Sequence, residues 1–324
     1  MSTLELALAN LTSPPVIAFA LGILATLLRS DLRLPEAVYQ ALSIYLLLGI
    51  GIKGGVALSQ SSFSEVSWPL VGALILGVTI PLLAFGALGI LTKLDRVNRG
   101  ALAAHYGSTS LVTFTAGLLF LESLQLYVEG YVATLLAVLE IPGIIVGLAL
   151  ASRGLSRSVS WGESLREVLT GKSIFLLVGG LALGFTTGAG GYARIEDFFG
   201  GLFTGVLTLF LLELGIVAGN RLRDVKHGGF GLVVFGTLFP LLAGTLGVLT
   251  GHLTGMGVGG SAALGVIAAS SSYIAAPAAV RLALPEASPG IYLSASLGIT
   301  FPFNLTIGIP AMLAISQFIE GVGL

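Results

Sequence analysis

The sequence predicts an all-α polytopic membrane protein, with ten transmembrane helices arranged as two inverted five-helix repeats. Three observations carry this expectation. The first is scarcity of charge. Asp, Glu, Lys and Arg make up 10% of the 324 residues and hydrophobic residues 55%, whereas soluble domains carry about 25% charged residues. So few charges cannot cover a water-soluble globule, which excludes a soluble enzyme, a disordered protein and a nucleic-acid binder. The net charge of -1 gives no pull on polyanions, and the absence of Cys removes disulfides, thiolate metal sites and thiol catalysis. The second observation is a recurrence of apolar stretches of about 20 residues, the length that crosses a bilayer. The third is an internal match between the two halves of the chain.

Polar breaks divide the chain into ten candidate spans. The first, Pro14–Leu28, opens on a proline pair and stops at Arg29. Met1–Thr12 ahead of it carries only Glu5, so it has no basic n-region and no cleavable signal peptide is expected. Pro35–Ile52, Pro69–Leu91, Gly100–Leu121 and Tyr131–Ala151 complete the first half, residues 1–151. Ser152–Gly171 is a polar, basic linker. Lys172–Gly190, Gly200–Gly219, Gly229–Leu249, Ala262–Leu284 and Ile291–Phe318 form the second half, residues 172–324. Ten spans put both termini on one face. That face holds two basic residues, Lys53 and Arg194, and the opposite face holds thirteen, Arg157, Arg223 and Lys226 among them. Basic loops stay in the cytoplasm, so the expectation is a multi-pass cell-membrane protein with both termini extracytoplasmic.

The halves match in order. Gly77, Pro81, Leu82, Leu83 and Ala84 recur as Gly236, Pro240, Leu241, Leu242 and Ala243, an offset of 159, and Leu47 to Gly51 recurs as Leu211 to Gly215, an offset of 164. Five spans are an odd number, so the second half inserts upside down. Inverted repeats of this kind characterise secondary transporters, whose sites form where paired helices are interrupted. The fourth and ninth spans carry such interruptions. Gly107, Ser108, Thr109 and Ser110 align with Ser270, Ser271, Ser272 and Tyr273 at an offset of 163. Small and hydroxyl residues tolerate an unwound backbone, which in lipid must be satisfied by protein, water or ligand. A half-helix starting there directs free N–H groups and about half a positive charge at the break. Two such ends facing each other near the midplane can hold a small anion without Arg or Lys, and freed carbonyls and hydroxyls suit Na⁺. Close helix packing is the plainer role for small residues, but two polar runs in register favour a site.

Other polar residues inside spans are candidates by default. Thr113, Glu140, Thr300 and Asn304 offer oxygens to Na⁺, with interhelical hydrogen bonds and a packed neutral carboxyl as the alternatives. Lys53 reads as a snorkelling residue, with a Lys53–Glu213 pair open. His105 lies three residues before Ser108 but has no acidic partner nearby to orient it, which argues against a hydrolase. His227 and His252 form no metal-ligand cluster with it. The phosphate-binding Gly-x-x-x-x-Gly-Lys motif is absent. A passive channel and a regulated membrane receptor are the competing classes.

The segments Leu34 to Gln40, His105 to Phe114, Leu139 to Gly143 and Val266 to Pro277 resemble the sodium-dependent bicarbonate transporter family, the cyanobacterial type and its bacterial relatives. The resemblance implies the five-plus-five fold, Na⁺-coupled bicarbonate uptake, movement of a core bundle against a gate bundle, and assembly as a homotrimer. It places the substrate at Ser108, Thr109, Ser110, Ser270, Ser271 and Ser272, and it brings in a PII-like regulatory protein as a partner. This chain has Tyr273 where cyanobacterial members carry an acidic residue, Glu140 where they carry an aspartate, and a shorter linker.

Overall fold

The computed structural model describes residues 3–153, 155, 160–222 and 229–323. Arg157, Arg223, Lys226 and His227 lie outside the described residues. Among the described residues every regular element is helical. The helices are α1 (Thr3–Leu11), α2 (Pro14–Leu27), α3 (Glu36–Gln60), α4 (Phe63–Leu91), α5 (Arg96–Gly107), α6 (Leu111–Ser123) and α7 (Val132–Ser152). After them come α8 (Trp161–Thr170), α9 (Lys172–Tyr192), α10 (Phe203–Leu222), α11 (Gly229–Leu253), α12 (Val258–Ala269) and α13 (Ala275–Ala283). The last, α14 (Pro289–Gly321), contains two π-helical stretches, Ser294–Thr300 and Asn304–Gly308.

Seven of these helices are long and apolar enough to cross a membrane, and α1 with α2 makes an eighth, bent by 63°. Local chemistry sets their ends. Ser13 precedes Pro14 and Pro15, whose missing N–H groups cost nothing in a first turn. A Ser62–Glu65 capping box opens α4, and Asp95 caps α5 through Asn98 N at 2.8 Å. Thr3–Leu11, ahead of Pro14, forms a helix of its own. In α14, Phe301 N bonds to Ser296 O and Ile309 N to Asn304 O, each five residues back. The next donors in that pattern would be Pro302 and Pro310, which have none. Asn10 Nδ2 supplies one, donating to Leu305 O, which ties α1 to α14.

Two groups of helices emerge from the packing. In one, α2 crosses α10 and α3 crosses α9. Both crossings are at backbone contact: a Cβ on Gly22 would lie 2.1 Å from Leu212 O, and one on Gly51 would lie 2.6 Å from Leu177 O. Gly215 and Gly180 face them, so the approach needs glycine on both sides. The other group holds α4, α5, α7, α11, α12 and α14. The linker helix α8 lies against α13, burying Ser164 and Val168 while Trp161, Leu165 and Leu169 stay exposed, as suits an interfacial helix.

Candidate functional site

The first break lies between α5 and α6. Ser108 N still bonds to Ala104 O at 3.1 Å, then the backbone extends through Thr109 to Ser110. A Cβ on Gly107 would be 2.7 Å from Pro81 of α4, and one on Gly143 of α7 would be 1.8 Å from Gly107 O. The break is thus seated against α4 and α7 by two glycines. Ser110 caps α6, its Oγ accepting from Thr113 N at 3.2 Å and Thr113 Oγ1 at 3.0 Å. The second break runs between Ala269 and Ala275, and Ser272 Oγ accepts from Ala276 N in the first turn of α13 at 3.1 Å.

The breaks are joined to each other. Ser110 N donates to Ser270 Oγ at 2.8 Å, and Ser270 Oγ donates to Ile267 O at 2.6 Å. Ser272 N donates to His105 O at 2.8 Å, and His105 Nδ1 lies 2.6 Å from Ser272 O. A carbonyl only accepts, so that nitrogen carries the proton. The His105 ring is fully buried and stacks on Tyr292 at 4.5 Å. Sequence reasoning missed this clasp, because its partner lies 167 residues away and nothing local signals it.

Thr109, Ser110, Ser272 and Tyr273 line one small cleft with Glu140, closed on the far side by Leu47 of α3 and by Ser173 and Leu177 of α9. Its volume is about 10 Å³, the room of a single water. The other sequence candidates do not line it. Ser271 Oγ pairs with Ser296 Oγ at 2.7 Å. Ser108 Oγ is buried without a hydrogen bond among the described residues, and so is Asn304 Oδ1, while Asn304 Nδ2 donates to Ala269 O at 2.8 Å. These free acceptors and the Glu140 carboxyl are oxygens of the kind a hard cation takes. Thr300 is not in the cleft: it donates to Gly236 O at 2.7 Å and meets Tyr106 OH at 2.6 Å, which commits its hydroxyl to holding α5, α11 and α14 together. Glu213 accepts from Leu34 N at 2.9 Å at the start of α3, and Lys53 lies over Phe203, ten residues along α10. That separation is about 15 Å, so the Lys53–Glu213 pair does not form. Among the described residues no cluster of His, Asp and Glu is placed to hold a metal ion.

A family model described as the Na⁺-dependent bicarbonate transporter superfamily matches residues 14–317. The chain belongs to that superfamily. Comparison with curated proteins returned no match. Membership implies a multi-pass, Na⁺-dependent anion transporter rather than an enzyme. The match begins at the first residue of α2 and ends within α14, so it takes in both breaks.

Proposed function

We propose that the protein is a secondary transporter that takes up a small anion, bicarbonate foremost, together with Na⁺ by alternating access. The observation that carries this reading is the joining of two interrupted helices at one cleft. The N-termini of α6 and α13 begin beside it, and each directs about half a positive charge toward an anion there. The Glu140 carboxyl lines the cleft and suits Na⁺ there, while Ser108 Oγ and Asn304 Oδ1 are further buried acceptors on the helices that carry the breaks and on α14. A bound Na⁺ offsets the anion's charge, so the two solutes raise each other's affinity, as linkage requires.

Reading α5–α6 and α12–α13 as interrupted spans brings the total to ten. The inverted repeat is supported by the packing. Exchanging the halves turns the α2–α10 crossing into the α9–α3 crossing, the α4–α5 contact into α11–α12, and α5–α7 into α12–α14. Gly51 and Gly215, matched in sequence, stand at equivalent backbone contacts. The cleft lies where α3 and α9 meet the second group of helices, the place where sliding of one group against the other would open it to either side. We carry over homotrimeric assembly and a PII-like partner from the family resemblance, and crosslinking of purified protein tests the trimer.

Reconstituted protein is expected to accumulate labelled bicarbonate when an inward Na⁺ gradient is imposed, each tenfold gradient driving about 1.4 kcal/mol per ion. Flux that ignores the gradient would reject symport in favour of a passive channel. Orientation has its own test, helped by the lack of native Cys. Tyr127→Cys and Arg153→Cys introduce thiols at exposed positions. The first is expected to react with an impermeant maleimide on intact cells and the second only after lysis; the reverse order would invert the topology.

A further inference from the structure

Lys53 departs from the charge pattern at its end of the bundle. Glu65, Glu122, Glu129, Glu196, Asp197 and Glu320 lie at helix ends on that side, against only Lys53 and Arg194. An end this acidic collects Na⁺ and repels anions, yet the proposed cargo includes an anion. Lys53 is held inside a cleft of about 240 Å³ between α3 and α10 on one side and α6 and the start of α7 on the other. Its Nζ sits 4.8 Å from the centre of the Phe203 ring, a cation–π contact that keeps the amine in place. Among the described residues it forms no ion pair. Of the two carboxylates lining the cleft, Glu122 attracts Lys53 electrostatically from beyond ion-pair distance, and Glu129 accepts from Gly257 N at 2.7 Å at the head of α12.

This cleft and the Ser-rich one share three helices. On α3, Leu47 lines the inner cleft and Ile50 and Lys53 the outer one. On α6 the sequence runs from Ser110 and Leu111 to Phe114, and on α7 from Leu136 back to Val132. Six residues of α3 separate Leu47 from Lys53, about 9 Å along the axis. We propose that Lys53 is an anion station: a weak site for a small oxyanion, bicarbonate or a short carboxylate, at the outer mouth of the route to the breaks. The inference rests on the transport reading and its orientation, since it gives the imported anion its first cationic contact.

Two measurements test it. In proteoliposomes, Lys53→Gln is expected to raise KM for bicarbonate about tenfold while kcat and the half-saturating Na⁺ concentration stay within twofold, and Lys53→Arg is expected to restore KM. An unchanged KM in Lys53→Gln overturns the station while leaving Na⁺-driven uptake by the parent protein intact. The second measurement needs no transport. Lys53 is the one lysine on its end of the bundle, so an impermeant amine-reactive ester, read by mass spectrometry in intact and permeabilised membranes, reports on it directly. Bicarbonate at millimolar concentration is expected to slow modification of Lys53 several-fold but not that of Lys93; equal rates with and without bicarbonate overturn the station. A parent protein without Na⁺-driven uptake would sink the transport reading instead, and the protection assay would still decide whether the anion binds.

Discussion

Gly143→Ala is expected to abolish Na⁺-dependent uptake and to lower the melting temperature of the purified protein. The added methyl would fall 1.8 Å from Gly107 O and 2.7 Å from Ser108 N. Both are backbone atoms of the first break, so no side chain can swing aside. Overpacking a tight core costs about 1–3 kcal/mol and occasionally more, and a clash with backbone belongs at the top of that range. Relief requires α7 to retreat, which takes Glu140 away from Thr109 and Ser110, or the break to shift, which loses the Ser110–Ser270 bond. Gly162→Ala in α8 is the control, because nothing lies within 4 Å of its would-be Cβ. Melting of both variants by fluorescence-detected size exclusion, with uptake alongside, checks the prediction. A Gly143→Ala protein as stable and active as the parent would mean that the break does not rest on α7.

His105→Leu is expected to reduce uptake by about tenfold to a hundredfold with the protein still in the membrane. The side chain supplies the proton for Ser272 O in a fully buried place. Leaving such a carbonyl unpaired costs about 1–3 kcal/mol. The backbone bond from Ser272 N to His105 O survives the change, so the breaks are loosened rather than parted. His105→Asn, which can present an N–H at similar reach, is expected to recover part of the activity, and the ratio of the two variants separates the hydrogen bond from the packing on Tyr292. Equal loss in both would assign His105 to packing alone.

Much of this was legible in the sequence for identifiable reasons. Ser108 to Ser110 and Ser270 to Ser272 stand out because hydroxyls interrupting an apolar run of that length are costly in lipid. The match of Gly51 with Gly215 was visible because glycine alone permits the backbone contacts with Gly180 and Gly22. The boundaries of α2, α7 and α9 come from proline, arginine and lysine at their ends. Other features were hidden because they depend on distant partners. Nothing near His105 points to Ser272, and nothing near Glu213 points to Leu34 N. Thr300 and Asn304 looked equivalent as oxygen donors four residues apart. Only the helices around them distinguish a hydroxyl bonded to Gly236 and Tyr106 from an amide that keeps one oxygen free. The π-helical stretches of α14 defeat a reading by periodicity, since each extra residue rotates the remainder of the helix by about 100°.

The bend between α1 and α2 has a mechanical consequence. Asn10 fastens α1 to α14, while Gly22 locks α2 onto α10, so the two segments are anchored to different helix groups. Only Thr12 and Ser13 lie between them, so Leu11 and Pro14 are three steps apart and can separate by about 11 Å at most. The joint is also hydrogen-bonded, Thr12 N to Leu8 O at 3.0 Å and Ser13 N to Asn10 O at 3.1 Å, so it has almost no slack. Any stroke longer than that reach must be taken up by α1 pivoting about Ser13 or by release of Asn10 from Leu305. In the transport cycle proposed above, α1 would act as a stroke limiter, and lengthening the joint by a few glycines is the way to relax it.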